Sequence, residues 1–98
     1  MILGFGDKRT EDLYNGVKSA RVRGIAVSVK QRALDRLTIM DAAANVNDLR
    51  VPPSNHLEQL SGNLAGFWSI RVNLQWRIIF RWPDGAAGPS EVKLTDYH

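Results

Sequence analysis

FWSIRVNLQWRIIFRW, from Phe67 to Trp82, is the stretch that decides the fold. Apolar and polar residues alternate on both sides of Asn73-Leu74, which predicts two antiparallel strands, at residues 67–72 and 75–82, joined by a short turn. One face of this hairpin should pack against a core, and the other is rich in arginine. The apolar face comprises Trp68, Ile70 and Val72 on the first strand and Trp76, Ile78, Phe80 and Trp82 on the second.

Two helices are predicted before the hairpin. Asp7 can cap a first helix that runs to about Val17, and a basic linker follows over residues 18–24. A capping box of Ser28 and Gln31 predicts the start of a second helix, which should end near Ala43. Its apolar stripe repeats at helical spacing and should face the hairpin: Val29, Ala33, Leu37 and Met40.

Further strands are predicted at residues 2–5, 56–60 and 91–95, where short apolar segments are bounded by turn residues. The order of strand, two helices and a run of strands predicts an α+β fold. We expect the N-terminal strand and two helices to pack on one face of a small, mostly antiparallel twisted sheet. A chain of 98 residues is too short for two cores, so we expect one domain over residues 1–98.

Composition excludes some classes of protein and favours none strongly. The formal charge of +3 permits a polyanionic partner such as RNA but does not require one. Cysteine is absent, which excludes disulfides and thiolate metal sites. No apolar run is long enough for a membrane span or a signal peptide, so we expect a cytoplasmic protein without membrane contact.

The polar face of the predicted sheet is the informative one. Arg71 and Arg77 should lie close together across the hairpin, because alternation places both on this face. Arginine binds phosphate bidentately, and aromatic rings stack on unpaired bases, so the pattern suits an RNA site. A solvated face with cations chosen for solubility explains the pattern equally well. The face is completed by Phe67, Ser69, Ile79, Arg81, Glu91, Lys93, Thr95 and Tyr97.

Several chemistries lack the residues that they need. His56 and His98 are the only histidines, and no pair at i, i+4 on a helix could bind a metal. The sequence has no nucleophile elbow for a serine triad and no glycine-rich phosphate loop. Acid–base chemistry without a metal or cofactor remains, with arginines to stabilise charge on phosphorus. RNA cleavage by its own 2′-hydroxyl fits this set, because the substrate supplies the nucleophile.

Three segments resemble the HigB-type toxins of the RelE superfamily. Residues 60–73 read LSGNLAGFWSIRVN, residues 75–80 read QWRIIF, and residues 96–98 read DYH. The family pattern is approximately L-x-G-x-x-x-G-x-W-S-I-x-V-x-x-x-W-R-I-x-F, followed by a closing D-Y-H. The resemblance implies a RelE-like fold and ribosome-dependent cleavage of mRNA. It also implies neutralisation by a HigA-type helix-turn-helix antitoxin, with operator DNA bound only through that antitoxin.

The resemblance assigns roles to individual residues. Arg77 matches the family arginine that contacts the scissile phosphate, and Asp96, Tyr97 and His98 match C-terminal residues required for activity. Asp96 could serve mainly as an orienting partner. Around them we expect His56, Arg71, Arg81 and Lys93 to bind RNA. The remaining cations should dock ribosomal RNA or contact the antitoxin: Lys18, Arg21, Arg23, Lys30 and Arg32.

One segment departs from the family. Members commonly read L-H-P-L-K-G-D before the hairpin, whereas residues 57–63 here read LEQLSGN. Glu58 stands in the place of the histidine, and Ser61 replaces the lysine. Either Glu58 is the general base, or His56 reaches in from two residues earlier, since strand alternation would keep both on one face. Loss of the lysine predicts a weaker or more selective toxin.

The mechanism expected from these assignments has Glu58 or His56 accept the 2′-hydroxyl proton. Arg77, helped by Arg71, stabilises the phosphate, and His98 or Tyr97 protonates the 5′-oxygen that leaves. Tyr97 could instead stack on a base. RelE-like folds also include gyrase inhibitors of the ParE type, so the alternative is a toxin that acts by binding a protein or the ribosome without cutting RNA.

Overall fold

Residues 1–96 are described by the computed structural model, and within them helices precede a four-stranded sheet. This arrangement confirms the predicted α+β class. Short 3₁₀ turns lie at Val46–Arg50, Pro53–Asn55 and Gly62–Leu64. The helices are α1 (Lys8–Asn15), α2 (Ala20–Arg23) and α3 (Val27–Ala42), and the strands are β1 (Glu58–Gln59), β2 (Trp68–Arg71), β3 (Trp76–Arg81) and β4 (Ser90–Asp96).

The sheet follows chain order, β1-β2-β3-β4, and every neighbouring pair is antiparallel. The predicted hairpin forms with Ile70 opposite Ile78, which keeps the apolar residues of both strands on one face. The segment 2–5 is not a full strand, because it contributes only an isolated parallel bridge between Phe5 and Val92. None of the helices within residues 1–96 is long and apolar enough to span a bilayer.

The core lies between α3 and the apolar face of the sheet. The predicted helical stripe is buried, and Ala33, Leu37 and Met40 have no exposed surface. Opposite it, Ile70, Ile78, Phe80, Val92 and Leu94 are also fully buried and belong to the same cluster. Burial of an aliphatic or aromatic side chain contributes about 1.5–3 kcal/mol each, so this layer is the main source of stability.

The helix ends confirm one predicted cap and correct another. The Asp7 carboxylate accepts a hydrogen bond from the Thr10 amide at 2.9 Å, as an N-cap residue should. Helix α3, however, begins at Val27 after Ala26, and no side chain caps it. The predicted capping box of Ser28 and Gln31 is therefore wrong, because Ser28 lies inside the first turn. The linker also differs from prediction, since it contains the short helix α2.

The outer edge of β4 is covered by the N-terminal segment and α1. Strand β4 pairs with β3 on one side, so the Leu94 amide and carbonyl point outward. The Thr10 hydroxyl accepts from the Leu94 amide at 2.9 Å, and Arg9 Nη2 donates to the Leu94 carbonyl at 2.8 Å. Gly6 donates to the Val92 carbonyl at 2.8 Å. This cover satisfies backbone groups that an open edge would expose to another chain.

Candidate active site

A pair of arginines facing each other across the hairpin forms the centre of the candidate site. Arg71 on β2 is the register partner of Arg77 on β3, and Arg77 in turn pairs with Thr95 on β4. Directly opposed residues of an antiparallel sheet project to the same face. Both side chains are half-buried. Two planar guanidinium groups placed side by side can hold one phosphate through several charge-assisted hydrogen bonds.

Glu58 lies at the edge of this face. It belongs to β1 and pairs with Ser69, which precedes Arg71 by two residues on β2. Strand spacing puts the Cα atom of Glu58 about 8 Å from that of Arg71 and about 12 Å from that of Arg77. The Glu58 side chain is exposed. A ribose next to a phosphate held by the two arginines could therefore come within reach of this carboxylate.

His56 is positioned by a turn. It ends the 3₁₀ turn Pro53–Asn55 in the left-handed conformation, with φ of 47°, and lies outside β1. Strand alternation does not extend to it, so the expectation that alternation places His56 beside Glu58 is wrong. His56 is exposed and lines an open groove of about 610 Å³, which Arg71 also lines. His56 thus shares a groove with Arg71, one member of the arginine pair, although it does not belong to the sheet.

Two cations of α3 reach the same groove. Arg32 and Arg36 line it together with hairpin residues 72–75. The Nε atom of Arg36 donates to the backbone carbonyl of Arg71 at 3.1 Å, which ties the helix to the end of β2. Sequence reasoning placed Arg32 in a general docking surface and assigned no role to Arg36. Their i, i+4 spacing on the polar side of α3 was the available signal.

Arg81 is engaged by residues around it. Its Nε lies 2.9 Å from Glu91 Oε2, and its guanidinium carbon lies 4.3 Å from the centroid of the Phe67 ring. Glu91 adopts a φ of 50° at the register shift between β3 and β4. A Cβ atom on Gly66, which has φ of 91°, would meet Arg81 Nη1 at 2.8 Å. These contacts set Arg81 apart from the arginine pair, and its contact with RNA stays a prediction.

The remaining predicted residues lie around β4. Lys93 pairs with Ile79 and is exposed on the arginine face, which is the face of the sheet that carries Arg71 and Arg77. Asp96 is half-buried and pairs with Trp76, so it projects to the opposite face from Thr95. From that face Asp96 would act through a neighbour rather than by touching a phosphate at Arg77. Tyr97 and His98 lie outside the described residues, and the roles expected of them stay predictions.

The arginine face is less solvated than its polar residues suggest. Ser69 has 0% exposure and Ile79 has 7%, although both alternate onto this face. The Ser69 Oγ atom is buried and has no hydrogen-bond partner among residues 1–96. Sequence reasoning treated Ser69 as an ordinary member of an open face, because alternation reports the face of a residue and not what covers it. Ser69 therefore lies beneath this face, next to its register partner Glu58.

One of the predicted docking cations, Arg21, is already paired, and it shares its partner with Lys8. Arg21 Nη1 lies 3.6 Å from Asp12 Oδ2, and Lys8 Nζ lies 3.6 Å from Asp12 Oδ1. A hydrogen bond and the charge of Glu11, followed by the charge of Asp12, raise the pKa of Lys8 above its usual value. Within residues 1–96 no three His, Asp or Glu side chains are arranged to hold a metal ion.

Known proteins match this chain over most of its length. The profile of a family described as "RelE-like toxin of type II toxin-antitoxin system HigB" matches residues 3–98. The chain is 47% identical over 87 residues to Toxin HigB-1 of Vibrio cholerae, which is 89% of this chain and 90% of that protein. It is 33% identical over 99 residues to Endoribonuclease HigB of Proteus vulgaris, across the full length of both.

Proposed function

Since this chain belongs to the HigB-like family of RelE-like toxins of type II toxin–antitoxin systems, we propose that it is an endoribonuclease that cuts mRNA on the ribosome. The observation that carries the proposal is the direct pairing of Arg71 with Arg77 on the half-buried polar face. The relative from Proteus vulgaris is named an endoribonuclease, which supports the same reaction here.

The proposed reaction is an attack by the substrate's own 2′-hydroxyl. Glu58 or His56 accepts the hydroxyl proton, and the 2′-oxygen forms a bond to phosphorus. Arg77, helped by Arg71, stabilises the negative charge that builds on the phosphate oxygens. The bond from phosphorus to the 5′-oxygen breaks as His98 or Tyr97 supplies a proton to that oxygen. The product is a 2′,3′-cyclic phosphate, which hydrolysis opens to a 3′-phosphate.

The proposed partners follow from this reaction. The ribosome and mRNA are the proposed target, which implies a cytoplasmic activity, and Lys93 adds positive charge around the site. The family description pairs the toxin with an antitoxin. We propose that the antitoxin is of the HigA type and that operator DNA is bound only through it. A gene for a helix-turn-helix protein beside this one would support that assignment.

Cleavage mapping tests the proposed function. Primer extension on a defined mRNA, with and without ribosomes, should show discrete cuts only when ribosomes are present. Arg77→Ala should lower the cleavage rate at least about 100-fold, because a preorganised donor to the developing charge is lost. Arg50→Gln removes an exposed positive charge outside the site and serves as the matched control. Growth arrest without any mRNA cleavage would favour the non-nucleolytic alternative.

The identity of the general base is tested by two single substitutions. Glu58→Gln removes a proton acceptor but keeps size and polarity, and His56→Gln does the same for the histidine. Loss of a general base should slow cleavage by about 100-fold or more, so the substitution that does so identifies the base. If the double variant cuts at the full rate, neither residue has this role.

A further inference from the structure

We infer that Arg32 and Arg36 of α3 form a second phosphate subsite, which binds a phosphodiester of the RNA strand adjacent to the one that is cut. The inference rests on the proposed ribonuclease function and extends it. Arg32 is thereby reassigned from the general docking surface to this subsite. Arg36, to which the sequence analysis assigned no role, becomes its second member.

The groove that carries this inference is basic along its length. Three of its lining residues are arginines, Arg32, Arg36 and Arg71, and His56 adds a fourth titratable group. None of the residues within 1–96 that line the groove is acidic. Within residues 1–96, neither Arg32 nor Arg36 forms an ion pair with a carboxylate. Guanidinium groups clustered in an open groove favour a polyanionic ligand.

Arg36 is oriented for this role by its own contact with the sheet. Its Nε–H donates to the Arg71 carbonyl at 3.1 Å, which fixes the plane of the guanidinium group. The side chain is half-buried at the wall of the groove, and its terminal amino groups remain for a ligand. A fixed guanidinium plane loses less conformational entropy when it binds a phosphate. Arg32 lies one helical turn away and is exposed.

Continuity with the arginine pair favours RNA over a segment of another protein. Arg71 lines the groove and also pairs with Arg77, so an anion in the groove is a close neighbour of the phosphate at Arg77. A single RNA strand carries a phosphate at every nucleotide and can satisfy both positions together. A protein segment seated in the groove would instead compete with the substrate.

Neutral linkages in the mRNA provide the test. Programmed ribosomes are supplied with mRNA that carries one uncharged methylphosphonate at a chosen position near the mapped cut. For the wild-type protein, we expect one flanking position at which the neutral linkage slows cleavage about tenfold, the effect of losing one charge-assisted contact. In Arg32→Gln and Arg36→Gln, cleavage of unmodified mRNA should be slower by about the same factor. The neutral linkage should then cause little further loss.

Control variants distinguish a phosphate subsite from a purely structural role of the two arginines. Arg50→Gln should respond to the neutral linkage as the wild type does. Arg36→Lys keeps the charge but loses the Nε donor to Arg71, so its rate should exceed that of Arg36→Gln. If Arg36→Lys is as slow as Arg36→Gln, the role of Arg36 is structural and the inference fails for it. Thermal unfolding followed by circular dichroism checks that each variant is folded.

Three outcomes would overturn the inference. In one, the arginine variants respond to every neutral linkage as the wild type does. In another, they cut mRNA normally but escape inhibition by the purified antitoxin, which assigns the groove to a protein partner. In the third, no flanking neutral linkage affects the wild type. Failure of the proposed function looks different, because the wild type would then leave unmodified mRNA uncut.

Discussion

At the scale of single residues, the arginine pair places two cations directly opposite each other in the sheet. Like charges directly opposite each other on neighbouring strands destabilise an antiparallel pair by about 0.2–1 kcal/mol. Arg71 and Arg77 nevertheless occupy such a pair. A phosphate held by both guanidinium groups would add negative charge to this pair, so the position suits anion binding. Residues that break a local rule in this way are expected at functional sites.

Ser69 gives a prediction that separates stability from activity. Its buried hydroxyl has no partner among residues 1–96, and an unpaired buried hydroxyl costs about 1–3 kcal/mol. Ser69→Ala should therefore raise the free energy of unfolding by about 1 kcal/mol, measured by urea denaturation with an unchanged m-value. A lower free energy of unfolding in this variant would show that the hydroxyl is satisfied in the protein. Slower cleavage by a more stable variant would indicate that Ser69 positions Glu58.

Sequence patterns predicted the positions of some of these residues and not of others. Alternation placed Arg71 and Arg77 on one face, because side-chain direction in a strand depends only on parity. It did not predict the burial of Ser69, which depends on what packs over the face. It also failed for His56, since a left-handed turn residue interrupts the strand that alternation assumes. The groove formed with Arg36 required the packing of α3 on the hairpin, which no local pattern specifies.

At the scale of elements, the N-terminal segment is held against β4 by backbone hydrogen bonds, and α1 is held there by the side chains of Arg9 and Thr10.

Long, strongly patterned elements were predicted well, and short ones were not. The hairpin and α3 are long enough for the spacing of their apolar residues to indicate a strand or a helix. Helix α2 has only four residues and was predicted to be a linker. The start of α3 follows the buried Val22 and Ile25, so tertiary packing sets it in place of the local capping pattern.

Gly6 should be intolerant of a side chain. A Cβ atom there would lie 2.9 Å from the Glu91 carbonyl oxygen and 3.2 Å from the Lys93 Cβ. Gly6→Ala should lower the free energy of unfolding by about 1–3 kcal/mol, because the segment must move off β4. Gly4→Ala is the control, since nothing lies within 4 Å of its Cβ position. Equal stability of the two variants would contradict the close approach.

The hydroxyl group of Thr10 should contribute more to the free energy of unfolding than its methyl group does. Thr10→Val keeps the shape of this fully buried side chain but leaves the Leu94 amide without its acceptor. We expect a loss of about 1–3 kcal/mol in the free energy of unfolding, the cost of a buried unpaired donor. Thr10→Ser keeps the acceptor and should lose less. Hydrogen exchange at the Leu94 amide should accelerate in Thr10→Val, and protection equal to that of the wild type would count against the contact.

At the scale of the whole molecule, Tyr14 and Asp41 join α1, α3 and the N-terminal segment. The Asp41 carboxylate accepts from the Ile2 amide at 2.8 Å, and the Tyr14 ring lies 5.7 Å from that of Phe5. Burial, and then the charge of Asp41 and a hydrogen bond to it, raise the pKa of Tyr14 above its ordinary value. The folded state therefore holds the phenol proton more tightly than the unfolded chain does.

This linkage predicts a stability loss at high pH. A pKa raised by folding gives a contribution that is complete below the unfolded value of about 10 and is lost as the pH rises above it. The urea midpoint of the wild type should fall as the pH rises above about 10. Tyr14→Phe, which cannot ionise, should fall less over the same range. Identical pH profiles of the two proteins would show that Tyr14 is not the group responsible.

The hydrogen bonds between α1 and Leu94 also determine when the full set of tertiary contacts can form during synthesis of the chain. The hydrogen bonds of Thr10 and Arg9 are to the backbone of Leu94, which lies 84 and 85 positions further along the chain. Contacts of such long sequence separation form late, because the loop between them must close first. Until translation has passed Leu94, α1 can pack on α2 and α3 but not on β4, and the strand that carries Thr95 beside Arg77 has not been made. The pairing of Arg77 with Thr95 and the cover over the outer edge of β4 therefore both depend on a segment around Leu94, which the ribosome makes 84 residues after Thr10 of α1.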